Sequence, residues 1–253
     1  MKKIAVIGAG ISGISIANML HPNFEVKVFE KADKIGGLIK CERVNDNLFH
    51  KVGGHVFNTK NQKVSDWFWS HFDLDNEFIK AKRNAKILLD RQYLDYPIEN
   101  FLFQLSAQTV RSIIKDFLEI NARDTSNFSN FEEFLKGNFG ETLYNLYFKP
   151  YNNKLWNVDL SGVPLEWLDG KLPMPNIPQI LHNNIIKKEE SEMVHSSFYY
   201  AKEGGSQFII DRLSEDLDIQ TNFNLQKIQY KNGLLVLNET ETFDYIIYTG
   251  DLR

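Results

Sequence analysis

The chain has 253 residues, 43% of them hydrophobic and 13% aromatic, enough to bury one large core or two smaller ones. A formal net charge of −4 gives no broad electrostatic case for nucleic acid, and the sequence leaves the oligomeric state open, a homodimer included. The single cysteine, Cys41, excludes an intramolecular disulfide and a multi-cysteine metal cluster; the expectation is a buried, inert thiol in a reducing, cytoplasmic compartment, with no metal.

In chain order, Lys3 to Ile7 is a nearly continuous apolar run of β-branched type, which predicts the buried central strand of a parallel sheet. It follows Met1-Lys2-Lys3 but ends in glycines rather than at a small-residue cleavage site, so it does not read as a signal peptide. No apolar run approaches the roughly 20 residues that a membrane span needs. The strand runs into Gly8-Ala9-Gly10-Ile11-Ser12-Gly13, and a helix is expected over 11–20. In such a turn the first glycine permits the bend, the second lets the backbone approach a pyrophosphate, and the third lets helix and strand pack closely. The amides opening the helix then face the phosphates. A second strand over 25–29 delivers Glu30, close to where such folds place the carboxylate that accepts bonds from ribose hydroxyls. An acid there would repel the 2′-phosphate of NADP. A purely steric role for the glycines and a solvated strand end for Glu30 are the alternatives.

After Glu30 the segment Lys31-Ala32-Asp33-Lys34-Ile35-Gly36-Gly37-Leu38 places a diglycine where main chain can pass against a cofactor without a Cβ clash. A helix is predicted over 60–72 with Val64, Trp67, Phe68 and His71 on one side. Strands at 85–89 and 92–94 joined by Asp90-Arg91 read as a hairpin ended by Tyr96-Pro97. From about 100 to 147 the periodicity is helical, with Ser129 and Glu132 spaced as a capping box. Prolines 164, 173, 175 and 178 mark an irregular connection, a short helix follows near 179–186, and Lys187 to Glu192 reads as a solvated loop. The end returns to alternating character: 198–200 extended, Gly204-Gly205 opening a helix to Leu217, then strands near 225–228, 234–237 and 245–249. This predicts an α/β protein: a Rossmann-like FAD/NAD(P)-binding domain (1–80 plus 195–253) with an inserted, mainly helical substrate domain (81–194) and a partial antiparallel sheet.

The acid, polar linker and Gly36-Gly37 resemble the segment found in amine oxidases, protoporphyrinogen oxidases and UDP-galactopyranose mutases, which makes FAD the expected cofactor. Gly53-Gly54-His55-Val56-Phe57-Asn58-Thr59 resembles the mutases in particular, whose segment is Gly-Pro-His-Ile-Phe-His-Thr. Tyr147-Phe148-Lys149-Pro150-Tyr151-Asn152-Asn153-Lys154-Leu155-Trp156 is similar to their segment that contacts the uridine and sugar of the substrate. The resemblance implies a flavin-dependent isomerase of polysaccharide biosynthesis, interconverting UDP-galactopyranose and UDP-galactofuranose through reduced FAD. It implies cofactor contacts from Gly8, Gly10, Ser12, Gly13, Glu30, Lys31, Gly36, Gly37, Leu38 and His55, with His55 as the catalytic candidate beside the flavin. Tyr147, Tyr151 and Trp156 are the implied nucleotide-sugar contacts. Read as residues alone, His55 is as easily a hydrogen-bonded structural histidine, and the three aromatics as easily core. The chain departs from the family at Leu172-Pro173-Met174-Pro175, where the mutases have an arginine that reaches the diphosphate, and at Arg253, beyond which they continue. These departures leave an amine-oxidase-type oxidoreductase and a non-catalytic flavin-binding remnant as the other readings.

Overall fold

The computed structural model describes residues 1–121, 128–168, 176–188 and 197–251. The chain divides into two compact units, Met1–Ala81 with Ser197–Arg253, and Lys82–Ser196.

The first unit is built on a four-stranded sheet in which Lys3–Ile7 is an inner strand, flanked by Tyr245–Tyr248 and Glu25–Phe29, with Asp218–Gln220 beyond the latter. All pairings are parallel; Val6 stands opposite Val28 on one side and Ile247 on the other. Successive strand side chains point to opposite faces, so a continuous apolar run serves a sheet covered on both. Ile4, Val6, Val26 and Val28 pack toward the helices Ile11–Leu20 and Ser206–Ser214, meeting Ile14, Ala17, Ile210 and Leu213. Ala5, Ile7 and Phe29 pack the other way, against Leu237 and Phe243. Those two residues belong to an antiparallel sheet of Ile228–Lys231, Leu234–Leu237 and Glu241–Phe243. An aromatic cluster closes the helical side, with Phe57 stacked on Phe68 at 3.6 Å between ring centroids.

Several elements differ from their sequence-based bounds. The helix expected over 60–72 runs Gln62–Trp69, because the Asn61 side chain accepts from the Lys63 and Val64 amides and starts it there. Val64, expected on its packed side, is 43% exposed. The helix expected to reach Leu217 ends at Ser214, since Asp218–Gln220 is drawn into the parallel sheet beside Lys27–Phe29. The strand expected near 225–228 is Ile228–Lys231. An unexpected hairpin, Cys41–Val44 with Asn47–His50, turns through Asn45 and Asp46, both at positive φ.

The second unit opens with the hairpin Lys86–Leu89 and Gln92–Asp95, whose turn residues Asp90 and Arg91 take φ of 46° and 65°. Helices Ala107–Asn121, Phe131–Leu143, Lys149–Trp156 and Ile177–Ile185 follow, around a core that includes Ile98, Leu102, Ile113, Phe117, Leu135, Leu143 and Leu160. The cap of the second of these helices is Asn130, one residue later than expected. Its side chain accepts from the Glu133 amide, and the Glu133 carboxylate reaches back to the Ser129 amide. Between the Phe131–Leu143 and Lys149–Trp156 helices, Tyr144–Phe148 forms a π-helical turn, a local widening that recurs at functional sites. Lys171 and Pro173 to Pro175 lie outside the described residues, as does the loop from Glu189 to Glu192.

Two carboxylates of this unit are held below their ordinary range. Lys86 and Gln104 hydrogen-bond Asp95, and Lys136 hydrogen-bonds Glu132, where Tyr144 adds to the effect. A depressed folded-state pKa contributes stability that is complete above the unfolded value, about 4 for carboxylates, and is lost as the pH falls through the folded value. Acid titration monitored by tryptophan fluorescence is therefore expected to show unfolding beginning below about pH 4. Asp95→Asn should reduce the midpoint stability at pH 7 and flatten its acid dependence; an unchanged acid profile would contradict the assignment.

Candidate functional site

The glycine turn is shaped by contacts that leave no room for side chains. Gly8 has φ +102°, and a Cβ on Gly13 would stand 1.8 Å from the Gly8 carbonyl oxygen. The helix that follows has neither a side-chain cap nor an acid in its first turn, so the amides around Ile11, Ser12 and Gly13 present their partial positive charge uncompensated. The diglycine is folded onto this turn. The Gly36 amide donates to the Ala9 carbonyl at 2.8 Å, Gly10 and Gly36 form a parallel bridge, and a Cβ on Gly37 would meet the Gly10 Cα at 2.9 Å. Gly37 and the 67%-exposed Leu38 open a short turn at the surface, and Lys31 is also exposed.

Glu30 sits at the end of the second strand, with its amide donating to Gln220 and its carbonyl accepting from Phe223. Its carboxylate accepts from the Ala9 amide at 2.8 Å through Oε2 and from the Ala32 amide at 2.9 Å through Oε1. The side chain thereby locks the glycine turn to the linker, and each oxygen keeps a second lone pair for a hydroxyl donor. Two backbone segments, an uncapped helix start and an oriented carboxylate thus form one surface within the first unit. This is a cradle that side chains would fill, and it fits a dinucleotide.

His55 is half-buried and lines an apolar cavity of about 270 Å³ with Ile11, Phe57, Trp67 and Leu213. Its Nδ1 lies 2.7 Å from the Gly53 carbonyl. A carbonyl only accepts, so Nδ1–H is the donor, and the neutral ring carries its free lone pair on Nε2.

Two residues near this surface carry roles that their local sequence does not announce. Gln207, just inside the helix that Gly204-Gly205 opens, donates from Nε2 to Asp211 at 2.8 Å; its Oε1 is buried against Gly36 with no hydrogen-bond partner. Its packing on the diglycine depends on long-range folding and leaves no local signal. Cys41 is partly exposed rather than buried, because it lies on the edge of the unexpected hairpin. Its Sγ is 3.5 Å from His50 Nδ1 and 3.3 Å from Ser206 Oγ, while His50 Nε2 meets the Tyr200 hydroxyl at 2.8 Å. Burial, with Cys41 adding to it, raises the Tyr200 pKa.

In the second unit, the π-helical turn carries Tyr147, and Tyr151 one turn later stacks on it with 5.3 Å between centroids and 18° between planes. Tyr147 is 8% exposed, Tyr151 48% and Trp156 38%. Tyr147 is therefore the support of the pair and Tyr151 its open face. Burial, then the nearby Tyr151 and Tyr96 phenols and the Glu99 carboxylate, push the Tyr147 hydroxyl well above its ordinary pKa, with Arg83 opposing them. That hydroxyl stays protonated across the neutral range. Among the described residues no group of three His, Cys, Asp or Glu is placed to hold a metal, and no helix is long and apolar enough to cross a membrane.

Known proteins resemble this chain in sequence and in fold. Residues 6–72 match the NAD(P)-binding Rossmann-like domain family. The UDP-galactopyranose mutase of Mycoplasma genitalium is 26% identical over 268 aligned positions, covering 98% of this chain and 60% of the relative. The dTDP-fucopyranose mutase of Escherichia coli is 28% identical over 184, covering 69% of this chain and 46% of the relative. A crystal structure of reduced UDP-galactopyranose mutase superimposes with a TM-score of 0.84 at 23% identity, over 99% of this chain and 56% of that one. The chain is an α/β protein of the Rossmann-like nucleotide-binding class. Its sequence is similar to those of pyranose mutases and its fold to that of a UDP-galactopyranose mutase, and it spans 46% to 60% of the length of these relatives.

Proposed function

We propose that this chain is a flavin-dependent mutase of nucleotide sugars, binding FAD on its first unit and a nucleoside-diphosphate sugar on its second. The observation that carries the reading is the Glu30 carboxylate, fixed by the Ala9 and Ala32 amides at the mouth of the glycine turn. Glu30 would accept from the ribose hydroxyls, and the amides around Ser12 would face the pyrophosphate. Gly10, Gly36 and Gly37 would let the cofactor lie against main chain, flanked by Lys31 and Leu38. When bound, reduced FAD supplies the nucleophilic chemistry of a redox-neutral pyranose-to-furanose ring contraction. His55, with Nδ1–H committed to Gly53, offers Nε2 as an acceptor and holds its ring in one tautomer. Tyr151, seated on Tyr147, would stack on the base, and Trp156 would add a second aromatic wall and one donor.

Two of the similar mutases act on different sugars, UDP-galactopyranose and dTDP-fucopyranose. The test is therefore to incubate the FAD-loaded, dithionite-reduced chain with each nucleotide sugar and to resolve products by chromatography. Furanose product from at least one, formed by reduced and not by oxidised protein, is expected. No furanose from either would overturn the reading, and peroxide release with an amine would favour the oxidase class instead.

A further inference from the structure

The Phe131–Leu143 helix of the second unit contains a break. Gly140, buried within it, has φ 82° and ψ 162°, a backbone conformation that essentially only glycine adopts without strain. The chain restarts as helix at Glu141, and the amides of this new first turn need acceptors. Gly140 stands where a capping side chain would and has none to offer. Asp116, from the neighbouring Ala107–Asn121 helix, takes that place, its Oδ2 accepting from the Thr142 amide at 2.7 Å. A Cβ on Gly140 would stand 2.5 Å from the Asp116 Cβ, so one glycine supplies both the break and the room for the cap.

The restarted helix is the one that carries the aromatic pair. It runs through the π-helical turn Tyr144–Phe148 into Lys149–Trp156, with Tyr147 buried and Tyr151 stacked on it. Because Gly140 uncouples it from the preceding turns, its rotation about its own axis depends on what holds its first turn. Tyr144, 2% exposed and with Lys136 4.8 Å from its ring centroid, anchors the core side; Asp116 anchors the amide end. We propose that Asp116 is a positioning residue, which by capping the helix after Gly140 sets the direction in which Tyr151 faces a nucleotide base. This rests on the nucleotide-sugar reading above and deepens it by naming what aims the aromatic platform. Tyr151 is nine residues beyond Thr142. At 1.5 Å per residue that is about 13 Å along the axis, so a tilt of roughly 5° at the cap moves the ring by about 1 Å. A displacement of that size spoils a stack on a flat base.

The experiment measures the affinity of the full, FAD-loaded chain for UDP by quenching of intrinsic fluorescence, alongside its melting temperature, in the wild type, Asp116→Ala, Asp116→Leu, Asp116→Asn and Ile113→Val. Asp116→Ala and Asp116→Leu both remove the acceptor, the second while filling its space, and each is expected to weaken UDP about tenfold and lower the melting temperature by about 4 °C. Asp116→Asn keeps an acceptor oxygen and should stay within about threefold of the wild type. Ile113→Val trims a fully buried side chain on the same helix; it should cost a similar melting temperature yet leave UDP within about twofold. Unchanged UDP affinity in both acceptor-free variants would overturn the proposal, as would an asparagine variant no better than alanine. Equal loss of UDP affinity in Ile113→Val would also overturn it, by making Asp116 one more contributor to general stability. Wild-type protein that does not bind UDP would remove the nucleotide site itself, a failure of the underlying reading that shows before any variant is compared.

Discussion

Replacing Gly13 by alanine is expected to destabilise the first unit by about 3 kcal/mol or more, a fall in melting temperature of roughly 10 °C. The added Cβ would lie 1.8 Å from the Gly8 carbonyl oxygen and 2.9 Å from Thr249 Oγ1. Neither neighbour can yield cheaply. Gly8 is main chain in the turn, and the Thr249 hydroxyl donates to the Ile7 and Gly8 carbonyls, tying the last described strand to the first. The helix would have to lift from the sheet and uncover Ile14 and Ala17, both fully buried. Gly162→Ala is the matched control, since an added Cβ there meets nothing within 4 Å, and it should change stability by less than about 0.5 kcal/mol. Thermal denaturation of the two variants, followed by circular dichroism, checks the contrast; equal melting temperatures would contradict it.

Replacing Glu30 by alanine is expected to weaken FAD binding about 100-fold while leaving the secondary structure intact. Two effects act together. The ribose loses its acceptor, and the Ala9 and Ala32 amides lose theirs, so the turn and the linker come apart where the cofactor must lie. Hydrogen bonds to a charged group are worth about 1.5–3 kcal/mol each, so loss of even one or two accounts for a fall of that size. Glu30→Gln keeps one acceptor oxygen and should lose about tenfold, because its NH₂ cannot accept from either amide. Titration with FAD, read by quenching of flavin fluorescence, gives the dissociation constants. A Glu30→Ala protein with wild-type affinity would place the cofactor elsewhere.

The entry to this site is legible in the sequence because each part has a local cause. An apolar strand, glycines that the turn requires, a helix and an acid at the next strand end follow one another within thirty residues, and each constrains only its neighbours. The helix caps are nearly legible: the spacing points to Ser129 where Asn130 caps, since either side chain satisfies an amide and only backbone geometry chooses. The hairpin from Cys41 to His50 has a local signal of its own, Asn45-Asp46 between segments that pair in register, but a weaker one than an Asn-Gly or Asp-Gly turn. Other features have no local signal. Asp218–Gln220 becomes a strand only because the edge of Glu25–Phe29 awaits a partner far along the chain. The π-helical turn under Tyr147 reads as ordinary helix by periodicity, yet it sets which tyrosine is buried and which is open. The contact of Gln207 with Gly36 and the position of Arg83 over the Tyr96 ring likewise depend on the completed fold.

Competitive binding tests most directly whether the first unit is a flavin dinucleotide site organised by Glu30. Purified chain, stripped of any bound cofactor, is titrated with FAD, NAD and NADP under the same conditions. Saturable binding is predicted to be strongest for FAD and weakest for NADP, whose 2′-phosphate meets the Glu30 carboxylate, with ADP competing against FAD. Failure to bind FAD, or NADP bound as tightly as FAD, would contradict the account.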